Sequence, residues 1–391
     1  MKKLKPAQRI LDLPPYLFKE IDDKKKLLAN QGKSILNFGI GDPDMPTPGF
    51  ILEAMAREMR KKENQKYPDY EGCGTFRNAA AKYMETRFKV NLDPSREVIA
   101  LIGSKEGLAH FSWAFIDPGD LAIVPDPGYP VYKVTTEFSG GEVYSIPLME
   151  SNGFFPDVSK IPQTVTEKAK VLYLNYPNNP TGMLPALDQL KEVVKWAQKN
   201  GIIIVSDAAY AELVYDPSRR FSLLSIPGAK EVTLEFHSFS KTFNMTGWRI
   251  GFAVGNSELV AGLLKMKTNV DSGAFEAIQL ACVDGLSMIE PFILSQIDTY
   301  RERKEALLTV LRKFDWDVFP PDGAFYVWAR CPKGISSKEW TLKLMEKTGI
   351  VTTPGSGFGK NGEGFVRFAL TQPVEVIRSI ESRLGAILYS A

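Results

Sequence analysis

Residues 201–210 read GIIIVSDAAY, an apolar run that ends abruptly in an acid. Four consecutive β-branched residues favour a strand with both faces buried, which is typical of parallel sheets. Asp207 would then stand where that strand ends, and in open α/β sheets ligands bind just outside the carboxyl ends of the strands. The alternative is that Asp207 caps a following helix, which is the simpler interpretation of this stretch taken alone.

A second strand signal lies at 171–182, which reads VLYLNYPNNPTG. The apolar stretch predicts another buried strand, and the prolines, asparagines and glycine behind it predict a rigid turn. Asn179, in that turn, can hydrogen-bond an oxygen atom of a ligand without adding charge, although a turn of this composition is usually only a turn. Further strand-like runs at 98–102 and 121–124 alternate with helical stretches, which indicates an α/β fold with a mostly parallel sheet covered by helices.

Residues 238–249 read SFSKTFNMTGWR and place Lys241 among hydroxyl groups, eight residues before Arg249. A lysine amine attacks a carbonyl only when it is deprotonated, so it needs a site that lowers its pKa, and a nearby arginine supplies positive charge without losing its own proton. A lone lysine in a polar turn is usually only part of the turn. The two clusters upstream favour a lysine that binds a carbonyl cofactor, which implies pyridoxal phosphate.

These three clusters, in this order, resemble the fold-type I pyridoxal-phosphate enzymes, specifically the class I/II aminotransferases, over nearly the whole chain. The resemblance implies a large, mostly parallel sheet domain at 45–285 and a smaller α+β domain formed by 1–44 and 286–391. It also implies pyridoxal 5'-phosphate as the cofactor, amino-acid and 2-oxo-acid substrates, and a homodimer with shared active sites.

The resemblance also assigns roles to single residues. It implies that Lys241 binds the cofactor covalently, that Asp207 pairs with its ring nitrogen and that Tyr129 stacks on its ring; these are the three predicted catalytic residues. The other predicted cofactor-binding residues are Ser104, Lys105, Asn179, Tyr210, Ser238, Ser240, Arg249 and, reaching the phosphate of the neighbouring subunit, Tyr67. The predicted substrate-binding residues are Arg367, Asn179, Gly41 and Tyr16. No metal site is predicted.

Arg367 is the single charge in the strand-like run GFVRFAL at 364–370. An arginine in an apolar strand is costly unless it has an anionic partner. A buried structural salt bridge is one explanation. The resemblance favours the other, a clamp for the α-carboxylate of the substrate, which the planar guanidinium can hold with two parallel hydrogen bonds.

A finer similarity, to the bacterial and archaeal LL-diaminopimelate aminotransferases, rests on LPPYLF at 13–18, GIGDPDMPTP at 39–48 and NVDSG at 269–273. It implies transfer of an amino group from LL-diaminopimelate to 2-oxoglutarate, forming tetrahydrodipicolinate and glutamate in lysine biosynthesis. The plant-type enzymes carry a glutamate three residues after the tyrosine that corresponds to Tyr67, where this chain has Tyr70. An aspartate, alanine or aromatic aminotransferase, a carbon–sulfur lyase and a cofactor-binding regulator are the alternatives.

Composition excludes several other classes. Lys and Arg number 48 against 46 Asp and Glu, so the formal charge of +2 gives no reason to expect nucleic acid or a membrane as a partner. The basic N-terminus is followed by no apolar segment, and we expect a soluble, cytoplasmic protein. Cys73, Cys282 and Cys331 are odd in number and widely spaced, which suits a reducing compartment. The only histidines, His110 and His237, form no obvious zinc cluster or catalytic triad.

The sequence leads to three further expectations. Residues 274–314 contain few helix breakers and predict one long helix. The stretch GSGFGK at 355–360 looks like a nucleotide-binding loop, but Asn361 replaces the Ser or Thr that such a loop needs, so we expect a mobile loop near the substrate. His237 is expected to be a packed strand residue rather than an acid or base.

Overall fold

The computed structural model describes residues 4–13 and 17–388. The helices are α1 (Gln8–Leu11), α2 (Leu17–Asn30), α3 (Gly49–Glu58), α4 (Gly74–Phe88), α5 (Ser104–Phe115), α6 (Val131–Phe138), α7 (Gln163–Lys168), α8 (Leu187–Asn200), α9 (Ala229–Val232), α10 (Phe239–Thr242), α11 (Ser257–Val270), α12 (Glu276–Ser287), α13 (Ile289–Lys313), α14 (Ser337–Thr348) and α15 (Val374–Leu388). The strands are β1 (Leu36–Asn37), β2 (Val98–Leu101), β3 (Leu121–Asp126), β4 (Glu142–Pro147), β5 (Ala169–Asn175), β6 (Ile203–Asp207), β7 (Thr233–Ser238), β8 (Gly251–Gly255), β9 (Val318–Phe319), β10 (Tyr326–Arg330), β11 (Ile350–Val351), β12 (Thr353–Pro354) and β13 (Phe365–Ala369).

The largest sheet has seven strands in the order β2-β8-β7-β6-β5-β3-β4. Six of them run in one direction, and β8 is antiparallel to both of its neighbours. Strands β2, β3, β7 and β8 are buried along their whole length, as expected for a sheet covered by helices on both faces. The predicted α/β fold with a mostly parallel sheet is confirmed.

Two smaller sheets are built largely from the C-terminal part of the chain. Strands β12-β13-β10-β9 form an antiparallel sheet, and β1 pairs in parallel with β11. The pairing of β1 with β11 joins the N-terminal segment to this smaller α+β part. The boundaries at 44/45 and 285/286 themselves stay a prediction.

The single long helix expected over 274–314 is wrong, because α12 and α13 are separate helices that meet at Met288 with a bend of 79°. Pro291 explains the break: it lacks an amide hydrogen and fits a helix only in the first turn, so a helix that contains it must begin just before it. Within the described ranges, no single helix is both long and apolar enough to cross a membrane, and α12 and α13 meet those criteria only as a bent pair.

Candidate active site

The predicted polar residues gather at one edge of the large sheet. Asn175 ends β5, Asp207 ends β6 and Ser238 ends β7, and these three strands are adjacent and parallel. Their carboxyl ends therefore face the same side, and α10, which carries Lys241, follows β7 directly. The fold thus brings side chains that are far apart in the sequence into one site.

Lys241 lies in an environment that disfavours its charge. Its Nζ donates a hydrogen bond to the carbonyl oxygen of Gly41 at 2.8 Å. Burial lowers the pKa of Lys241 to about 8, Asp42 opposes this shift, and the positive charges of Arg367 and Arg249 add to it. At pH 7 roughly a tenth of the amine is consequently neutral and free to act as a nucleophile or base, against less than a thousandth for an ordinary lysine.

Gly41, predicted to bind substrate, lies beside the lysine and accepts its hydrogen bond. A side chain at this position would overlap the hydroxyl of Tyr326, so only glycine lets the backbone come this close. Tyr16, the other residue predicted from the N-terminal motifs, lies outside the described residues. Its predicted role stays a prediction.

Asp207 is 4% exposed, and no cationic side chain of the described residues forms an ion pair with it. Tyr132 donates a hydrogen bond to its Oδ2 at 2.7 Å, and the amide of Ala209 donates to Oδ1 at 3.3 Å. Burial raises the pKa of Asp207 to about 6, and these two hydrogen bonds limit the rise. No helix begins directly after Asp207, so this residue is not a helix cap. A buried carboxylate of this kind suits a basic, protonated ring nitrogen.

The end of the site opposite to Asp207 is rich in hydrogen-bond donors and positive charge. Ser238 of β7 pairs with Gly251 of β8, and Gly251 pairs in turn with Leu101 of β2. Leu101 lies two residues before Gly103. The guanidinium of Arg249 occupies the space that a side chain at Gly103 would fill. The helix α5 begins directly after this glycine, so its free amides and Arg249 lie together in a place that suits a phosphate group.

Four further residues that are predicted to bind the cofactor differ in how deeply they lie. Ser104 opens α5 and is partly buried, whereas the side chain of Lys105 next to it is exposed. Ser240, in α10, is buried. The side chain of Tyr67 is 88% exposed in the single chain.

Three residues surround the space between these two ends. Tyr129 follows β3 and meets Tyr132 edge to face, with ring centroids 5.7 Å apart. The hydroxyl of Tyr210 hydrogen-bonds that of Tyr326 at 2.8 Å, and burial raises the pKa of Tyr210 well above its ordinary value, so this phenol stays a donor. Asn179 is buried, and its Oδ1 accepts a hydrogen bond from Arg367 at 2.7 Å.

Arg367 is 6% exposed and forms no ion pair with any carboxylate in the described part of the chain. Besides Asn179, its guanidinium donates to the carbonyl oxygen of Gly39 at 2.9 Å and to the hydroxyl of Thr353 at 3.4 Å. Its Nε is buried without a hydrogen-bond partner. Because the explanation by a structural salt bridge requires an acid, this geometry favours an anionic ligand instead.

Tyr132 and Tyr326 were not singled out from the sequence. Tyr132 stands one helical turn after Tyr129, and that spacing is the only local signal for its place beside Asp207. Tyr326 packs its ring 4.2 Å from the guanidinium of Arg367. It is thus shared between the carboxylate-binding end and Tyr210, a connection that only the folded chain reveals.

Two clusters of titratable groups have structural roles. His237 stacks on Phe252 with ring centroids 4.8 Å apart and hydrogen-bonds Glu235, so it is a packed strand residue as expected. Glu106, His110 and Asp271 come together like metal ligands, but the buried ammonium of Lys267 donates to both acids at 2.9 Å. This ammonium already gives both carboxylates a cationic partner.

The arrangement as a whole can hold a flat molecule that has an anionic group, a carbonyl carbon and a basic ring nitrogen. The chain belongs to the aminotransferase class I and II family, whose model matches residues 33–382. The predicted family is confirmed by this match.

The relatives refine this class. The chain is 49% identical over 378 residues to an LL-diaminopimelate aminotransferase of Aquifex aeolicus, with 97% of this chain and 98% of the relative covered. It is 47% identical over 388 residues to an LL-diaminopimelate aminotransferase of Maridesulfovibrio salexigens, covering 99% and 100%.

Solved structures agree on the fold. Substrate-bound BacF from Bacillus subtilis superposes with a TM-score of 0.94 at 34% identity, over 98% of each chain. A mutant aspartate aminotransferase of Thermus thermophilus superposes with a TM-score of 0.92 at 28% identity, over 98% and 99%. The expected fold-type I architecture is confirmed.

Proposed function

We propose that the protein transfers the amino group of LL-diaminopimelate to 2-oxoglutarate, forming tetrahydrodipicolinate and glutamate in the biosynthesis of lysine. The observation that carries the reaction class is the placement of Lys241, with a pKa of about 8, near the guanidinium of Arg367, which is buried and has no acidic partner among the described residues. The choice of amino donor is supported by relatives of that name at 45–49% identity over nearly the full chain.

Pyridoxal 5'-phosphate is the proposed cofactor, and the residues at the site fit it. The buried Asp207 forms no ion pair within the described part of the chain and can face the ring nitrogen, and Lys241 can hold the aldehyde carbon. Tyr129 would stack on the ring. The residues proposed for the phosphate are Ser104, Lys105, Ser238, Ser240 and Arg249, and those for the phenolic oxygen are Asn179 and Tyr210. When bound, this cofactor supplies an electron sink that stabilises negative charge at the α-carbon of an amino acid.

The residues of the chain have separate roles in the proposed reaction. Arg367 holds the α-carboxylate of the substrate and fixes its orientation. The amine of Lys241 takes the proton from the α-carbon and later returns one, which requires the neutral form that the lowered pKa provides. Asp207 stays anionic and holds a proton on the ring nitrogen. The amino donor and the oxo acid share the α-carboxylate, so one clamp serves two successive half-reactions and we expect ping-pong kinetics.

We propose a homodimer that shares its active sites, because Tyr67 is 88% exposed in the single chain and has a predicted role at the phosphate of the neighbouring subunit. A cytoplasmic location is supported by the cysteines. Cys73, Cys282 and Cys331 are all unpaired and buried, as is usual for a protein kept in a reducing compartment.

The test is a visible spectrum of the purified holoenzyme during successive addition of LL-diaminopimelate and 2-oxoglutarate. The absorption of the lysine-bound cofactor should bleach with the first and return with the second. A spectrum that responds only to aspartate, alanine or an aromatic amino acid would replace the donor. Release of pyruvate from cystathionine without an oxo acid would indicate a lyase, and binding without turnover of any donor would indicate a regulator.

A further inference from the structure

The glycine-rich loop at 355–362 is a closed loop with a narrow neck. It consists of two short 3-10 turns, Gly355–Phe358 and Lys360–Gly362. A side chain at Gly355 or at Gly362 would overlap the backbone carbonyl of the other, so the two glycines let the ends of the loop touch. The close approach of the backbone therefore explains why glycines stand at these two positions, and no nucleotide-binding role is needed to explain them.

An acid from the large sheet holds this loop. Asp126, at the end of β3, is 7% exposed, and its carboxylate accepts hydrogen bonds from the amides of Lys360 at 3.2 Å and Asn361 at 2.9 Å. A side chain at Gly359, whose φ is +132°, would overlap that carboxylate. No lysine, arginine or histidine in the described ranges forms an ion pair with Asp126, so backbone amides of the loop satisfy its charge.

The same contact extends to the turn that carries Tyr129. The amide of Gly128 donates a hydrogen bond to the carbonyl oxygen of Phe358 at 2.8 Å. Three hydrogen bonds thus join the turn after β3 to the loop at 355–362. Hydrogen bonds to an ionised acceptor are roughly twice as strong as neutral ones, which makes the carboxylate the strongest part of this junction.

The loop in turn contacts the carboxylate clamp. The ring of Phe358 is buried, and its centroid lies 4.8 Å from the guanidinium carbon of Arg367. The ring of Phe358 also packs against that of Trp328, nearly at right angles, with centroids 6.0 Å apart. A ring packed in this way attracts the cation and keeps water from that side of it.

We propose that Asp126 is a positioning residue for the reaction. It holds the loop at 355–362 in place so that Phe358 stays packed on Arg367 and the guanidinium stays oriented and dry for the α-carboxylate of the substrate. The proposal rests on the carboxylate-binding role of Arg367 in the function proposed above. If the contact is lost, water reaches the guanidinium and its attraction for a carboxylate weakens.

The proposed role of Asp126 has different consequences from that of an acid that only stabilises a turn. A structural acid would change the amount of folded enzyme, whereas a positioning acid changes the apparent affinity for the molecules that the clamp holds. The amino donor and the oxo acid both present an α-carboxylate, so both KM values should rise together while kcat changes little.

The experiment compares three variants of the holoenzyme, Asp126→Ala, Asp126→Asn and Gly359→Ala. Amide hydrogen exchange at residues 360 and 361 should become roughly tenfold faster in Asp126→Ala, and KM for both substrates should rise by about tenfold. Asp126→Asn keeps one acceptor oxygen and should fall between Asp126→Ala and the wild type. Gly359→Ala disturbs the same contact from the loop and should raise both KM values in the same way.

Asp93→Ala is the matched control. Asp93 also accepts backbone and hydroxyl hydrogen bonds, from Ser95, but on an exposed turn, so both KM values should stay at the wild-type level. If Asp126→Ala does not fold, Asp126→Asn and Gly359→Ala decide the question. Unchanged exchange at residues 360 and 361, or unchanged KM values for either substrate, would overturn the proposal. Absence of turnover in the wild-type protein would instead overturn the proposed function.

Discussion

Replacing Arg367 by lysine keeps the positive charge and removes the planar fork. The guanidinium already donates hydrogen bonds to Asn179, Gly39 and Thr353, at 2.7, 2.9 and 3.4 Å, and still has a free Nε. A lysine ammonium cannot serve these acceptors and also hold a carboxylate with two parallel bonds. One charge-assisted hydrogen bond to the substrate is lost, at roughly 1.5–3 kcal/mol, so kcat/KM should fall by about 10- to 150-fold.

The assay is single-turnover absorption of the holoenzyme, with each half-reaction measured separately. Arg367→Lys should slow the reaction with the amino donor and the reaction with the oxo acid by a similar factor, because both substrates carry the α-carboxylate. A simple alkyl amine, which has no carboxylate, should react as it does with the wild type. Arg383→Lys is the control, since Arg383 also donates hydrogen bonds to neighbouring groups, the backbone carbonyls of Ser34 and Thr348, but has no proposed role at the site. A loss below about threefold, or a loss confined to one half-reaction, would refute this reasoning.

The other predictions concern the base and the acid. Lys241→Ala should abolish turnover while the protein still retains the cofactor on dialysis; measurable transamination by the variant would contradict the role of Lys241. In cofactor-free protein, the pKa of Lys241 near 8 means that cofactor capture, followed by stopped-flow absorption, should accelerate as the pH rises through about 8 and then level off. Capture that keeps accelerating to pH 10 would indicate an ordinary lysine. Tyr132→Phe removes a hydrogen bond that stabilises ionised Asp207, so the pKa of that acid should rise further and the acidic limb of the pH profile of kcat/KM should move to higher pH. An unmoved limb would show that Asp207 does not control it. Asp207→Ala should cripple proton removal even with cofactor bound, as single-turnover spectra would report.

Much of the large sheet follows from local sequence. The runs at 171–174 and 201–205 are continuous apolar stretches followed by polar residues. The first lies within β5, and β6 begins inside the second, at Ile203. Such runs are recognisable because a strand buried on both faces needs apolar residues on both. The break between α12 and α13 was missed, because one proline among many helix-favouring residues does not by itself fix where a helix begins.

The site was predictable where a residue type is unusual for its surroundings. A charge inside the apolar strand at 364–370 and an acid after the run at 201–205 both stand out in the sequence. Tyr326 does not, since a tyrosine in a strand needs no explanation and its partner Tyr210 is 116 residues away. That Arg367 has no acidic partner among the described residues is likewise a property of the whole fold. The sequence near an arginine does not predict which distant side chains will lie next to it.

The exposure of Tyr67 has a genetic consequence. If each active site combines Tyr67 of one polypeptide with Lys241 of the other, two inactive alleles can restore each other. Co-expression of Tyr67→Ala and Lys241→Ala chains would yield mixed dimers in which one site carries both lesions and the other carries neither. Random pairing would then return about a quarter of the wild-type sites, although each allele alone is defective. Selection on this chain therefore acts on the pair of polypeptides rather than on either one.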